Sequence, residues 1–191
     1  TGVYNVTPPT HAEGRMWWSD EYHTLNIFND ISDVTLQVGL EEWVRVYNNS
    51  GSTITNGTPV YATGASDEMP TVAPADATTE LKARVLGVAT HDIANNSSGI
   101  ATVRGLVSGI DTSSLTAGQP VHISPSGGYQ TAAPTYPYFP TDIGGCVVSD
   151  ASNGYIYVNV QEHTFESFRV TGNSHMDGNL TVEGDLTVNG T

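Results

Sequence analysis

The chain of 191 residues carries 6 Lys and Arg against 20 Asp and Glu, a formal net charge of −14 at pH 7. That balance argues against nucleic-acid binding as the main task, since such binders need a basic stripe to displace counterions from phosphate. Only 14% of residues are charged and 38% are hydrophobic; Thr, Ser, Asn and Gly replace the missing charge, and 3 Trp, 9 Tyr and 4 Phe supply material for a core, unlike a disordered acidic tail.

In chain order the periodicity is that of strands. Met16-Trp17-Trp18 and the segment from His23 to Phe28 flank Ser19, Asp20, Glu21 and Tyr22, a hairpin connection. Val34-Thr35-Leu36-Gln37-Val38 alternates throughout, and Trp43-Val44-Arg45-Val46-Tyr47 is β-rich before the turn at Asn48-Asn49-Ser50-Gly51. Residues 74–84 form the best helical candidate, a marginal one because it is short and contains two adjacent Thr residues. Thr55-Asn56-Gly57-Thr58-Pro59-Val60-Tyr61 matches Thr116-Ala117-Gly118-Gln119-Pro120-Val121-His122 in pattern. Val85-Leu86-Gly87-Val88 then leads to Gly99-Ile100-Ala101-Thr102, as Asp142-Ile143-Gly144-Gly145 leads to Gly154-Tyr155-Ile156-Tyr157. The middle of the chain therefore reads as an internal duplication, two halves that close into one barrel or sandwich. Cys146, the single cysteine, lies in an apolar run and is expected to be a buried, inert thiol.

The last segment follows another rule. Gly178-Asn179-Leu180-Thr181-Val182-Glu183 is repeated as Gly184-Asp185-Leu186-Thr187-Val188-Asn189, and Gly190-Thr191 opens a third copy. Strands this short cannot bury an apolar face alone, so Leu180, Val182, Leu186 and Val188 are expected to face an axis shared with other copies of the chain. The resulting expectation is an all-β protein: residues 1–46 an N-terminal β-hairpin or attachment region, 47–163 a barrel-like domain of two pseudo-repeats, and 164–191 the start of an intertwined trimeric shaft. The chain begins at Thr1 rather than Met and stops inside a repeat, so a piece of something longer is expected.

Several segments carry a resemblance. The run from Ala12 to Ile27, Glu-Gly-Arg-Met-Trp-Trp-Ser-Asp-Glu-Tyr-His-Thr-Leu-Asn-Ile after its first residue, resembles a segment of tailed-bacteriophage fibre proteins. Glu42-Trp43-Val44-Arg45-Val46-Tyr47, Gly87-Val88-Ala89-Thr90-His91-Asp92-Ile93, Gly105-Leu106-Val107-Ser108-Gly109-Ile110 and the GDLTVNG tail are similar to stretches of the same fibres. The resemblance implies a virion structural protein, usually a homotrimer, whose globular β-domain joins an attachment end to a shaft. Its partners would be its own copies, other virion proteins of tail or capsid, and a host-surface receptor or glycan. The alternatives are a receptor- or carbohydrate-binding module of a tailspike and a capsid decoration protein.

Trp17, Trp18 and Trp43 are the candidates for intersubunit or virion contact. Tyr129, Tyr136 and Tyr138, set among prolines, are the candidates for stacking against a glycan, weighed against packing onto the barrel. No catalytic residue is assigned: neighbours such as His91-Asp92 point to opposite faces of a strand, and no carboxylate spacing suggests glycoside hydrolysis. The histidines are scattered without metal-ligand spacing; His175, Asp177 and Asp185 near a three-fold axis do not amount to a metal site. No cofactor is expected. No apolar run approaches the roughly 18 residues of a membrane span, and membrane insertion is not expected.

Overall fold

The computed structural model describes residues 8–32, 34–135 and 137–162, together with 178, 179, 181, 182, 184 and 185. Within them the protein is all-β. Strands β1 (Met16–Ser19), β2 (Thr24–Phe28) and β3 (Thr35–Gln37) form a small antiparallel sheet. Nine others form the second sheet: β4 (Glu42–Asn48), β5 (Pro59–Ser66), β6 (Met69–Pro74), β7 (Val85–Ala89), β8 (Ser97–Ile110), β9 (Pro120–Ile123), β10 (Tyr129–Gln130), β11 (Thr141–Val148) and β12 (Gly154–Glu162). The helix expected over 74–84 contracts to α1 (Glu80–Ala83), whose N-cap Thr79 accepts the Lys82 N–H. Pro74 instead ends β6, and residues 75–79 are held out of the helix by bonds to distant carbonyls, Ala75 N donating to Pro59 O at 2.8 Å and Ala77 N to Ser124 O at 3.1 Å.

The long strand β8 organises the larger sheet. Its first part pairs with β4 on one side and β7 on the other, and since β4–β6, β6–β5 and β5–β7 also pair, five strands close into a ring. Each contributes to one interior: Val46, Val60, Val72, Ala89 and Ala101 pack there with Ile54 and Ile93. The second part of β8, from Arg104 onward, pairs with β12, which leads to β11, β9 and β10. Those strands enclose a second cluster around Val121, Ile123, Ile143, Ile156 and Val158. The boundary expected at residue 46 falls inside β4, so the larger sheet begins at Glu42.

The duplication is present in the hydrogen bonding. Gly57 N donates to Ala89 O at 2.8 Å and Ala89 N to Thr58 O at 2.9 Å; in the other half Gly118 N donates to Cys146 O at 2.8 Å and Cys146 N to Gln119 O at 3.0 Å. Gly57 and Gly118 hold φ of 82° and 79°, the left-handed turn that only glycine adopts freely. Val88 pairs with Pro59 and Thr102 just as Gly145 pairs with Pro120 and Tyr157. In both halves a glycine lets neighbouring strands approach: a Cβ on Gly87 would lie 2.7 Å from Thr102 O, and one on Gly144 would lie 1.9 Å from Tyr157 O. Cys146 is buried as expected, and burial pushes its thiol pKa up.

Candidate interaction surface

The small sheet is built by a hairpin whose connection ends on His23, at φ 51°, and by β3 pairing back onto β2. Met16 lies opposite Ile27 and Ile27 opposite Leu36; Trp18 lies opposite Leu25, whose carbonyl accepts the Val38 N–H at 2.9 Å. Cross-strand partners share a face, so these six apolar side chains form one two-by-three array. The array faces outward: Met16 is 62% exposed, Trp18 43%, Val38 41% and Leu25 37%. The opposite face carries Ser19, Thr24 and Asn26, all buried, with Phe28 at its edge. Hydrophobic-in, polar-out is reversed in this sheet.

The sheet holds its place through polar links and one aromatic cluster. Phe28 packs against Trp17, with ring centroids 4.1 Å apart, and against His11 at 4.8 Å. Arg45 on β4 grips both oxygens of Asp30 at 2.8 and 2.5 Å, and this hydrogen bonding keeps the Asp30 carboxyl below its ordinary pKa. Between the sheets lies a cavity of about 190 Å³, lined among others by Gln37, Glu41, Trp43, Thr102 and Ser108. The Trp43 indole N–H and the Thr102 hydroxyl are buried without a protein partner, as is the Asn26 carbonyl oxygen on the face above. Glu41 accepts the Gln37 N–H at 2.6 Å, and burial pushes its carboxyl pKa up. This polar seam binds the small sheet less firmly than an apolar core would.

A second apolar patch lies on the larger sheet. Tyr157 lies opposite Leu106, and Tyr155 opposite Val148. Leu106 is 40% exposed, Val148 40% and Tyr157 37%. Beside Tyr157 lies a cleft of about 380 Å³, lined also by Leu40, Glu42 and Arg104, where Arg104 Nε donates to the Tyr157 hydroxyl at 3.3 Å. A surface with this much clustered apolar area on an acidic chain is suited to contact with another macromolecule.

No protein-family model matches this sequence, and no curated protein matches it. The functional reading therefore rests on the surface itself and on the resemblance to phage fibres.

The candidate residues fall in different places. Of the three tryptophans, Trp18 points to solvent; Trp17 is half-buried on Phe28, and Trp43 lines the inter-sheet cavity. Of the two readings weighed for Tyr129 the structure shows packing onto the barrel: the ring lies against the second core cluster and its hydroxyl donates to the Gly57 carbonyl, tying β10 to the first half of the duplication. Its burial also pushes the phenol pKa up. Tyr138 is exposed, whereas Tyr136 lies outside the described residues. So do Leu180, Leu186, Val188, His175 and Asp177; Val182 is described and exposed.

His91 performs a structural task. Its Nε2 accepts the Ile100 N–H at 3.1 Å, its Nδ1 faces the Asp92 carbonyl at 2.9 Å, and the Asp92 carboxylate accepts the Asn56 N–H at 2.8 Å. Both ring nitrogens thus serve the loop that closes the barrel. Sequence reading missed a cross-strand contact between His122 on β9 and Asp142 on β11, because 19 intervening residues hide a pairing that only the strand register reveals. Among the described residues no three His, Cys, Asp or Glu side chains are placed to share a metal ion, and no helix is long and apolar enough to cross a membrane. The apolar array itself had a signal in the alternation of Met16/Trp18, Leu25/Ile27 and Leu36/Val38; the alternation did not say which face is outward.

Proposed function

We propose that this chain is a structural component of a tailed-phage virion, a homotrimeric fibre segment joining an attachment end to a host-facing shaft. The single observation that carries the reading is the outward apolar array of the small sheet, which gives an acidic protein a reason to assemble. Three further features support it. The described residues form a duplicated β-domain, the sequence ends in six-residue repeats whose apolar positions alternate, and fibre-like segments run through most of the chain. The low content of charged residues and the excess of acidic ones suit a particle surface that must not adhere to other particles or to polyanions. In this role the chain performs no chemistry; it holds copies in register and passes load between the virion and what lies beyond the repeats. Its partners are its own copies, other virion proteins and, at a distance, the host surface. Multi-angle light scattering of the chain at micromolar concentration is expected to give three times the 20.2 kDa of one chain. A monomer throughout the accessible concentration range overturns the reading.

A further inference from the structure

We propose that the outer face of the small sheet docks onto a second copy of this chain, against the Leu106, Val148, Tyr155 and Tyr157 patch of its neighbour. The proposal rests on the homotrimer reading and assigns it a contact surface within the described residues.

The geometry of a closed three-fold ring requires a heterologous contact, in which one patch of each subunit meets a different patch of the next. The chain presents two different apolar patches, one on each sheet. Seven of their ten side chains are more than a third exposed, Met16 and Trp18 most of all, a clustering of apolar surface that marks contact sites on proteins.

Charge favours a second copy over a foreign partner. Two chains of net charge −14 repel one another, so contact between copies is favourable only through surface without carboxylates. Neither Met16, Trp18, Leu25, Ile27, Leu36 and Val38 nor the four residues of the other patch include a charged group. Beside Tyr157 stand Glu42 and Arg104, opposite each other in the β4–β8 register, so the rim of that patch is locally balanced. A cationic partner would instead be drawn to the acidic remainder of the surface. Trp18, on the edge strand of the array, has the size and exposure of an anchoring side chain.

The test uses Trp18→Glu and Leu106→Glu in the whole chain, one in each patch. Both side chains are exposed, so each variant should retain the wild-type far-UV circular dichroism and melt level with wild-type chain diluted below its assembly concentration. Sedimentation equilibrium is expected to show at least a tenfold rise in the concentration at which each variant assembles. An equimolar mixture of the two is expected to yield a species of two subunits, because the intact array of the Leu106→Glu chain can still meet the intact patch of the Trp18→Glu chain. If both variants keep the wild-type trimer while Leu180→Asp with Leu186→Asp dissociates it, the docking surface is overturned and the homotrimer reading stands. A wild-type chain that never assembles overturns both.

Discussion

The two sheets of this molecule treat alternation in opposite senses. In the five-stranded ring, Val46, Val60, Val72, Ala89 and Ala101 point into a common interior that the same chain closes. In the three-stranded sheet six apolar residues point away from the protein, and Thr24 and Asn26 point toward it beside Phe28 and Trp17. The ring buries its own hydrophobic surface and needs no partner; the small sheet leaves an apolar face uncovered and sits on a seam with unpartnered polar groups. The stability of the first is internal, and that of the second depends on what covers it.

The largest test of this contrast is at Gly144. A methyl group there would lie 1.9 Å from Tyr157 O, on a backbone at φ +147°, so Gly144→Ala has to push β11 off β12 and is expected to prevent the second half from folding, read as loss of the cooperative melting transition. The equivalent Gly87→Ala meets Thr102 O at 2.7 Å without the unfavourable φ, and is expected to destabilise measurably while leaving a folded protein. Next in size comes the core: Ile156→Ala, at a side chain with no exposure, should cost about 2–5 kcal/mol in denaturant unfolding. Leu25→Ala, the same kind of truncation on the small sheet's outer face, should change the stability of a dilute monomer by only about 0.5 kcal/mol. A comparable loss at both positions would show that the outer array is already covered within one chain.

The contrast also explains what the sequence disclosed. Strands at residues 16–18, 23–28, 34–38 and 43–47, and the pairing of the Thr55 and Thr116 segments, follow from local pattern, because alternation and Gly-x-Pro turns are encoded within a few residues. The register that sets Gly87 and Gly144 under the carbonyls of neighbouring strands was visible only as an internal glycine in each half. Tyr129 was open to two readings, a glycan-stacking ring and one packed on the barrel, because the contact that decides between them is with Gly57, 72 residues away. The outward direction of Trp18 was equally hidden, since a reversed sheet and an ordinary one have the same alternation.

A smaller effect distinguishes the seam by pH. Glu41 has its carboxyl pKa raised above the ordinary 4.5 by burial, so the folded state binds this proton more readily than the unfolded chain. Ionisation therefore removes stability as pH rises from the unfolded value through the folded one, and the loss persists at neutral pH. Glu41→Gln retains an oxygen for the Gln37 N–H and carries no charge. The variant is expected to melt above the wild type at pH 7 and level with it once the pH falls well below the ordinary carboxylate value. An equal difference at both pH values would show that solvent reaches Glu41 freely.

The smallest effect is the most informative about how the small sheet is seated. Thr102 is fully buried beneath it, and its hydroxyl has no protein partner. In an ordinary sheet core, Thr→Val at such a position exchanges an unsatisfied polar atom for a methyl group and stabilises by about 1 kcal/mol or more. Here the hydroxyl borders a cavity of about 190 Å³ with other polar walls, large enough for water to reach it. A hydrated hydroxyl has little to gain from replacement, and Thr102→Val is expected to change the unfolding free energy by no more than about 0.5 kcal/mol. A clear stabilisation would mean that the seam is dry and that the small sheet belongs to the same core as the ring. No change would mean that water separates them, leaving the outer apolar face as the side on which the small sheet has most to gain from contact.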